Sequence, residues 1–350
     1  MKQSRNFHTQ QLVRLVLMAV MTVVALAGIA LAVIVRLPER KKPSEADVYY
    51  EEAGEAWTSQ EAAPVTAPGT VRYQGKTYVL NDHLSNYLLL GVDTTGSIRE
   101  KKTPGSAGQT DAIFLLSYDR AKETVVCLAI PRDTITQIEI FTPDGESTGF
   151  FSDHINLQYA FGDGRQKSCE LSAAAVSRLL SGIRIDGCAA VNLSSIPKLA
   201  SLLDGVEVTV PDDTLAKENP AFTKGSRVLL DETNTELFVR YRDTDVMQSG
   251  FDRMNRQKVF IEAFAARLSQ KQKEDASTVT RIFETMKEEM ITNMSNDIFV
   301  DLAGAERVGE IETIPGSRGH EGSYDVYRAD ESALYDLVIR LFYKEEEPDG

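Results

Sequence analysis

The sequence predicts an α/β layered domain that follows a single transmembrane helix. Apolar, strand-like runs such as Asn86–Asp93 alternate with helix-like segments such as Leu171–Leu180 along most of the chain, and this alternation is typical of α/β domains. Nearer the N-terminus, Leu15–Val35 carries no charged residue and lies between Arg14 and Arg36. A segment of that length crosses the apolar core of a bilayer as a helix, so we expect an uncleaved membrane anchor.

The boundaries of the predicted segments follow from changes in composition. Residues 1–14 form a short N-terminus, 15–35 the transmembrane helix, and 36–83 a linker that is acidic and rich in Pro and Ala. The folded domain covers 84–343, and an acidic tail covers 344–350. Lysines and arginines lie on both sides of the predicted helix, so the positive-inside rule leaves the side of the membrane open.

The charge of the chain argues against nucleic acid as a partner. Its formal net charge is -14, whereas a surface that binds nucleic acid is basic. The three cysteines have no metal-binding spacing. Cys127 lies in an apolar strand and is expected in the core. Cys169 and Cys188 could form a disulfide outside the cell, and the sequence leaves that pairing open.

The first predicted strands bring two aspartates and an arginine towards one edge of a sheet. One strand ends in Asp93, and the next two, Ala112–Tyr118 and Thr124–Ile130, are joined by a short turn. In a tight hairpin of these two strands, Asp111 lies roughly opposite Arg132. Asp93 joins this pair if its own strand lies alongside and ends at the same edge.

Further helices and strands fill the rest of the domain. An irregular, glycine-containing loop covers Thr94–Gly108, and a helix begins near Asp252 with Phe260, Phe264 and Leu268 on one face. These apolar residues belong to the core or to a groove for a lipid. The other predicted elements are the helix Leu171–Leu180, the strand Gly187–Leu193, the helix Ile196–Leu203, the strand Val206–Val210, and the helices Asp231–Val239, Thr278–Met290 and Ser332–Tyr343.

Arginines are concentrated just before and within the start of the helix near position 252. If Val239–Asp243 is extended, Arg240 and Arg242 point to the same side. Within the helix, Arg253 and Arg256 lie three residues apart on one surface. Each guanidinium offers a planar, permanently charged donor fork that matches phosphate oxygens. The alternative is a solvated charge run in which the arginines pair with nearby aspartates.

Aspartates and arginines at one edge of a sheet suit a metal-bound polyphosphate. Asp93 and Asp111 offer oxygen ligands for Mg²⁺, which takes one or two carboxylates together with phosphate oxygens. Arg132 and the arginines around the helix start would neutralise the remaining phosphate charge. The sequence contains no P-loop. We therefore expect phosphoryl transfer by positioning and charge stabilisation, without a covalent nucleophile.

Seven motifs in order resemble the LytR–CpsA–Psr family. The resemblance is strong over about 84–270 and extends to about 343. It implies a central mixed β-sheet flanked by helices on both faces, with an apolar groove for a lipid tail. It also implies a single-span membrane protein of Gram-positive type bacteria, with a cytoplasmic N-terminus and an extracellular domain. The motifs are Leu90–Asp93, Thr110–Ile113, Ile130–Thr134, Ile155–Asn156, Asp204–Val208, Arg240–Arg242 and Arg253–Gln257.

The resemblance further implies an activity and its residues. Family members look like transferases that move a glycopolymer, such as wall teichoic acid or capsule, from a polyprenyl-pyrophosphate carrier to a peptidoglycan hydroxyl. The matching positions make Asp93 and Asp111 the Mg²⁺ ligands, and Asp252, Arg132 and Arg242 the catalytic residues. The residues implied to bind the pyrophosphate are Arg132, Arg240, Arg242, Arg253, Arg256, Gln257 and Gln109.

Two positions depart from the family pattern in ways that bear on activity. Gln109 stands where the family usually has an arginine, and Gly250 where it usually has an acidic residue. If that acid serves as the base, its task passes to Asp252, Asp243 or Asp245, or is lost. These departures motivate an alternative function, a non-catalytic polyprenyl-pyrophosphate binder or scaffold in envelope assembly.

Overall fold

The computed structural model describes residues 67–94, 96–243, 245–322 and 324–346. The predicted transmembrane helix and most of the predicted linker lie outside these ranges. Within them, no helix combines the length and the apolar character needed to cross a membrane.

A mixed β-sheet forms the centre of the fold. The strands are β1 (Thr70–Tyr73), β2 (Lys76–Leu80), β3 (Leu84–Asp93), β4 (Gln109–Asp119), β5 (Thr124–Ala129), β6 (Ile135–Phe141), β7 (Ser147–His154), β8 (Gly187–Asn192), β9 (Val206–Thr209), β10 (Arg227–Leu230), β11 (Met290–Thr292), β12 (Glu306–Arg307), β13 (Glu312–Thr313), β14 (Gly316–Glu321), β15 (Tyr324–Ala329) and β16 (Tyr343–Glu345). The central order is β11–β8–β3–β4–β5–β12, and β13 also pairs with β5. Because β8 runs parallel to β3 while β4 runs antiparallel to both its neighbours, the predicted mixed sheet is confirmed.

Helices cover both faces of this sheet. They are α1 (Gln166–Leu179), α2 (Ile196–Ser201), α3 (Thr235–Arg240), α4 (Ser249–Glu274), α5 (Thr278–Met286), α6 (Asn296–Gly304) and α7 (Glu331–Phe342). Successive residues of a buried strand point to opposite faces. Accordingly, Leu88 of β3 belongs to a cluster with Val176 of α1 and Val338 of α7, whereas its neighbour Tyr87 belongs to a cluster with Phe283 of α5.

A separate apolar core lies beneath α4. Phe260 is buried there together with Phe238 of α3 and Val208 of β9, and the less buried Phe264 and Leu268 pack against the same cluster. The apolar face of α4 is therefore core in this structure, and the sequence-based alternative of a lipid groove along it gains no support from these contacts.

The structure corrects the N-terminal limit of the folded domain. Residues 70–80, which the sequence analysis assigns to the linker, form the β1–β2 hairpin, and β2 pairs with β16 near the C-terminus. Val71 and Tyr73 alternate along β1 and pack against the main core. The period-2 alternation is short and lies beside a Pro- and Ala-rich stretch, so composition alone conceals it.

The structure also corrects the backbone around the arginines. The stretch Val239–Asp243 is not extended, because α3 continues to Arg240 and Tyr241 N still donates to Leu237 O at 3.1 Å. The helix begins at Thr235 rather than at Asp231, whose carboxylate accepts from the backbone of Thr233 in a turn. The sequence analysis also misses the hairpins β6–β7 and β14–β15.

Candidate functional site

The candidate site lies where β3 ends and β4 begins. Asp93, the last residue of β3, pairs with Gln109, the first residue of β4. Between Gly91 and Val92 the register shifts, so that the pairing steps over Asp111. A bulge of this kind redirects the side chains beside it and is common next to functional sites. The carboxylates of β3 and β4 therefore come to the same edge of the sheet, as predicted.

Arg132 lies at the centre of this edge. It follows β5, and its Nη1 donates to Asp111, which confirms the contact that the hairpin predicts. Its Nε donates to Asp133 Oδ1 at 3.0 Å, and its Nη2 lies 3.5 Å from Gln109 Oε1. Gln109 Oε1 also accepts from Asn156 Nδ2 at 2.8 Å. One guanidinium thus holds three side chains in a fixed arrangement, two from β4 and one from its own turn.

Arg253 reaches the same carboxylate from α4. Its Nη1 donates to Asp111 Oδ2 at 2.6 Å, and both side chains are buried. Burial by itself would raise the pKa of Asp111, but the charges of Arg132 and Arg253 outweigh it and hold that pKa below its ordinary value. Asp111 is therefore ionised and fixes two guanidinium groups side by side.

A small cavity that is open to solvent lies beside this cluster. Its polar lining includes Asp111, Arg132, Asp133 and Gln257. Its other lining residues are apolar or lack a side chain, and they are Ala112, Ile113, Ile130, Pro131, Gly250, Phe251 and Met254. The cavity is therefore lined by both charged and apolar groups.

Arg240 and Asp93 form a second, more exposed pair at the same edge. Arg240 is the last residue of α3, and its Nη2 donates to Asp93 Oδ1 at 2.5 Å. Its Nη1 pairs with Glu236 on the same helix. The Arg240 side chain is 35% exposed, so it remains accessible to a ligand.

Arg242 lies on the segment between α3 and α4. Its Nη2 is 3.5 Å from Asp325 Oδ2 on β15, and its Nε is 3.3 Å from Ser249 Oγ. Asp325 Oδ2 also accepts from Gln248 N at 2.9 Å. The segment that carries Arg242 is therefore tied to the β14–β15 hairpin.

Comparison with known proteins identifies the family of the chain. The model of the LytR_cpsA_psr family matches residues 48–339. The chain belongs to this family. It is 28% identical over 265 residues to the polyisoprenyl-teichoic acid–peptidoglycan teichoic acid transferase TagU of Bacillus cereus, a match that covers 73% of this chain and 76% of that relative.

Solved structures show the same fold. The crystal structure of Bacillus subtilis TagV matches with a TM-score of 0.57 and 22% identity, over 75% of this chain and 97% of that one. A structure of TagT bound to LIIa-WTA matches with a TM-score of 0.54 and 21% identity, over 74% and 90% of the two chains. At these sequence identities, the structural similarity shows that the fold is shared.

Arg256, which is predicted to bind the pyrophosphate, instead makes hydrogen bonds within the protein. Its side chain is 1% exposed. Its Nε donates to Phe238 O at 2.9 Å, its Nη1 to Thr214 Oγ1 at 2.5 Å, and its Nη2 to Tyr241 O. With all three nitrogens bonded to protein acceptors, Arg256 ties α4 to the end of α3.

Asp252, the predicted base, does not line the cavity. The lining residues from α4 are Gly250, Phe251, Met254 and Gln257, and Asp252 lies on a different side of the helix. Burial raises the pKa of Asp252, and the nearby carboxylate of Asp212 adds to the effect. The structure therefore brings Arg132 to the cavity and Arg253 to Asp111, which lines it, but it does not bring Asp252 there.

Sequence reasoning missed three charged residues that belong to this region. Asp133 lines the cavity, Asp325 holds Arg242, and the guanidinium carbon of Arg318 lies 3.8 Å from the ring centroid of Phe251. Asp133 stands inside a motif that the sequence analysis quotes, so its position beside Arg132 was an available signal. Arg318 and Asp325 lie on the β14–β15 hairpin, which was not predicted, and neither stands in a sequence motif that points to the site.

The donor set fits Mg²⁺ in kind. Asp93 has a half-exposed carboxylate, and Asp111 follows on the neighbouring strand. Within the part of the chain that the structure describes, no three His, Cys, Asp or Glu side chains form a metal-binding group. Mg²⁺ needs only one or two protein carboxylates when phosphate oxygens and water complete its shell. Asp93 and Asp111 are of the chemical type that such an ion needs, and in this structure both carboxylates pair with arginines.

Proposed function

We propose that the chain transfers a glycopolymer of the wall teichoic acid or capsule class from a polyprenyl-pyrophosphate carrier to a hydroxyl of peptidoglycan. Its curated relatives are named as teichoic acid–peptidoglycan transferases, and the family match covers most of the chain. The site carries the charges that such a pyrophosphate substrate requires.

The observation that supports this proposal most is that Arg253 has buried hydrogen-bond donors without a partner in the described part of the chain. Its Nε and Nη2 are buried and have no hydrogen-bond partner among the described residues. A buried charged donor without a partner is costly, because it has lost its hydration and gained nothing in return. An anion in the adjacent cavity would supply the acceptors, and a pyrophosphate has several.

Two pairs of arginines would contact different parts of the pyrophosphate. Arg132 and Arg253, held by Asp111, would face the phosphate being attacked, and Arg240 and Arg242 would contact the pyrophosphate from the α3 side. Phosphoryl transfer depends on fixed charges that need not reorganise during the reaction. The contacts of Arg132 with Asp111, Asp133 and Gln109 provide that rigidity.

The bond changes follow from the substrate. The acceptor oxygen forms a bond to the phosphorus next to the sugar, the bond from that phosphorus to the bridging oxygen breaks, and polyprenyl phosphate leaves with the electron pair. Mg²⁺, held by Asp93 and Asp111 when bound, would neutralise charge that develops on the pyrophosphate oxygens. Gln257 is placed to orient a phosphate oxygen through its amide group.

A membrane location completes the proposal. Leu15–Val35 would anchor the chain as a single span, with the N-terminus in the cytoplasm and the domain outside the cell of a Gram-positive type bacterium. Polyprenyl carriers are lipids, so a membrane-anchored transferase would meet its substrate at the bilayer surface.

The test is a transfer assay with the full-length chain in detergent. The reaction contains Mg²⁺, a polyprenyl-pyrophosphate-linked disaccharide and peptidoglycan glycan fragments, and the released polyprenyl phosphate and the glycan-linked product are measured. Release of lipid phosphate together with joined product supports the transferase. Binding of the lipid substrate without any release would instead support a non-catalytic binder or scaffold.

This second candidate function has a specific observation in its favour. Position 250, which lines the cavity, is a glycine, so α4 offers no acid there. Gln109, in place of an arginine, also removes one positive charge next to Arg132. A charge-assisted contact contributes roughly 1.5–3 kcal/mol, which would slow the reaction about tenfold to a hundredfold. The loss at Gln109 therefore weakens a transferase rather than abolishing it.

A further inference from the structure

The side chain nearest to Gly250 in the cavity is a carboxylate from another segment. A Cβ placed on Gly250 would lie 3.4 Å from Asp133 Oδ2, which is ordinary van der Waals contact. Both residues line the cavity together with Arg132. An acidic residue at position 250 would thus point its carboxylate into the space that the Asp133 carboxylate already borders.

From this geometry we infer that Asp133 is the general base of the transfer reaction in this chain. The inference rests on the proposed function, because it assigns the proton acceptor for the attacking hydroxyl. The hydroxyl proton moves to Asp133 Oδ2 while the hydroxyl oxygen forms its bond to phosphorus. The electron pair of the broken bond leaves with polyprenyl phosphate, so charge and atoms balance.

The turn that carries Asp133 is held by backbone hydrogen bonds on both sides. Thr134 N donates to Pro131 O at 3.1 Å, Asn156 N to Arg132 O at 3.2 Å, and Tyr327 N to Asp133 O at 2.7 Å. The side chain is held as well, because Asp133 Oδ1 accepts from Arg132 Nε. A base positioned in this way needs little rearrangement before it accepts a proton.

The other candidate carboxylates lie elsewhere. Asp243 Oδ1 accepts from Asp245 N at 3.1 Å, and its Oδ2 lies 3.7 Å from Lys217 Nζ. Asp245 is exposed, and Asp252 lies outside the cavity lining. Asp111 lines the cavity, but both its oxygens are bonded to guanidinium groups. Asp133 is the acid that combines a place in the cavity with contact to position 250.

The experiment removes the carboxylate at position 133 and introduces one at position 250. Asp133→Asn keeps the acceptor for Arg132 Nε but removes the base, and it should lower kcat about 10²- to 10⁴-fold with little change in KM. Adding Gly250→Asp to this variant restores a carboxylate at the same place and should raise kcat again by more than about tenfold. Gly250→Asn, which has the same size without the charge, is the matched control and should restore nothing.

Each outcome decides between the inference and its competitors. An Asp133→Asn variant with wild-type kcat overturns the inference. So does a loss of kcat that Gly250→Asp fails to relieve, because Asp133 would then only hold Arg132 in place. Rescue by Gly250→Asn as well would equally overturn it. A wild-type chain that releases no lipid phosphate would overturn the proposed function itself, and the role of Asp133 with it.

Discussion

Arg253 on α4 and Asp111 on β4 are 142 positions apart in the chain, and their side chains meet in a buried contact of 2.6 Å between Nη1 and Oδ2. Arg132 contacts the other oxygen of the same carboxylate. This three-residue cluster joins the longest helix to the edge of the central sheet. The positions of Arg132 and Arg253 therefore depend on one carboxylate.

Replacing this carboxylate should destabilise the protein. Asp111→Asn keeps the size of the side chain but removes the counter-charge of the buried Arg253 and one carboxylate that pairs with Arg132. Removing one partner of a buried ion pair costs about 3–5 kcal/mol, so we expect the free energy of unfolding in urea to fall by that amount. The control is Asp204→Asn, which removes an exposed carboxylate paired with Lys271. An equal loss in both variants would contradict the role of Asp111.

Removing Arg240 should weaken substrate binding while the fold remains intact. Its side chain is partly exposed, and among the described residues it pairs with Asp93 and Glu236. Loss of a charge-assisted contact of roughly 1.5–3 kcal/mol raises Kd about tenfold to a hundredfold. The measurement is the affinity of Arg240→Ala for a polyprenyl-pyrophosphate sugar, beside its thermal midpoint. Arg227→Ala, which removes an exposed arginine on β10, serves as control, and an unchanged Kd for Arg240→Ala would remove it from the site.

Asp93→Asn should change the response to Mg²⁺. An amide oxygen is a weaker ligand for this hard cation than a carboxylate, so we expect the Mg²⁺ concentration for half-maximal transfer to rise. Glu236→Gln is the matched control, because Glu236 shares Arg240 with Asp93 but lies on α3 and is not expected to bind the ion. If the two variants titrate alike, Asp93 is not a ligand.

Arg256 should behave as a structural residue. Arg256→Leu would leave the carbonyl oxygens of Phe238 and Tyr241 without this donor, and unsatisfied buried polar groups cost about 1–3 kcal/mol each. We expect a lower urea midpoint of unfolding. Arg267→Leu on the same helix loses one bond to a backbone carbonyl, Leu203 O, and one to the exposed Gln270 side chain, and should be milder. A stable Arg256→Leu variant with weakened substrate binding would instead make Arg256 a ligand.

His154 should give the folded state a dependence on pH. Burial lowers the pKa of His154, but its hydrogen bonds to Asp153 and to the carbonyl of Asp325 raise it above the ordinary value. A group whose pKa is raised by folding stabilises the folded state. This stabilisation is complete at pH values below the pKa in the unfolded chain, about 6.5, and it is lost as the pH rises through the pKa in the folded protein. The free energy of unfolding of the wild type should therefore fall over this range. His154→Gln should flatten the change, and His83→Gln, at an exposed position, should keep it.

Much of the site could be predicted because its contacts depend on local pairing. The alternation of apolar residues and the short turn fix the register of β4 and β5, and that register alone puts Asp111 opposite Arg132. The mixed sheet and the family follow from motifs that the sequence displays in order. The arginine-rich stretch was also found, although its backbone is the end of a helix rather than a strand.

By itself, the sequence determined that Asp93, Asp111 and Arg132 meet at one edge of the sheet. The tertiary structure decided how each group is used: Arg253 faces Asp111 while Arg256, three residues later, ties α4 to α3, and the carboxylate of Asp133 borders the space beside Gly250. The reason is physical. Pairing between neighbouring strands is encoded by nearby residues, whereas the direction of a side chain on α4 depends on packing against segments far away in the chain.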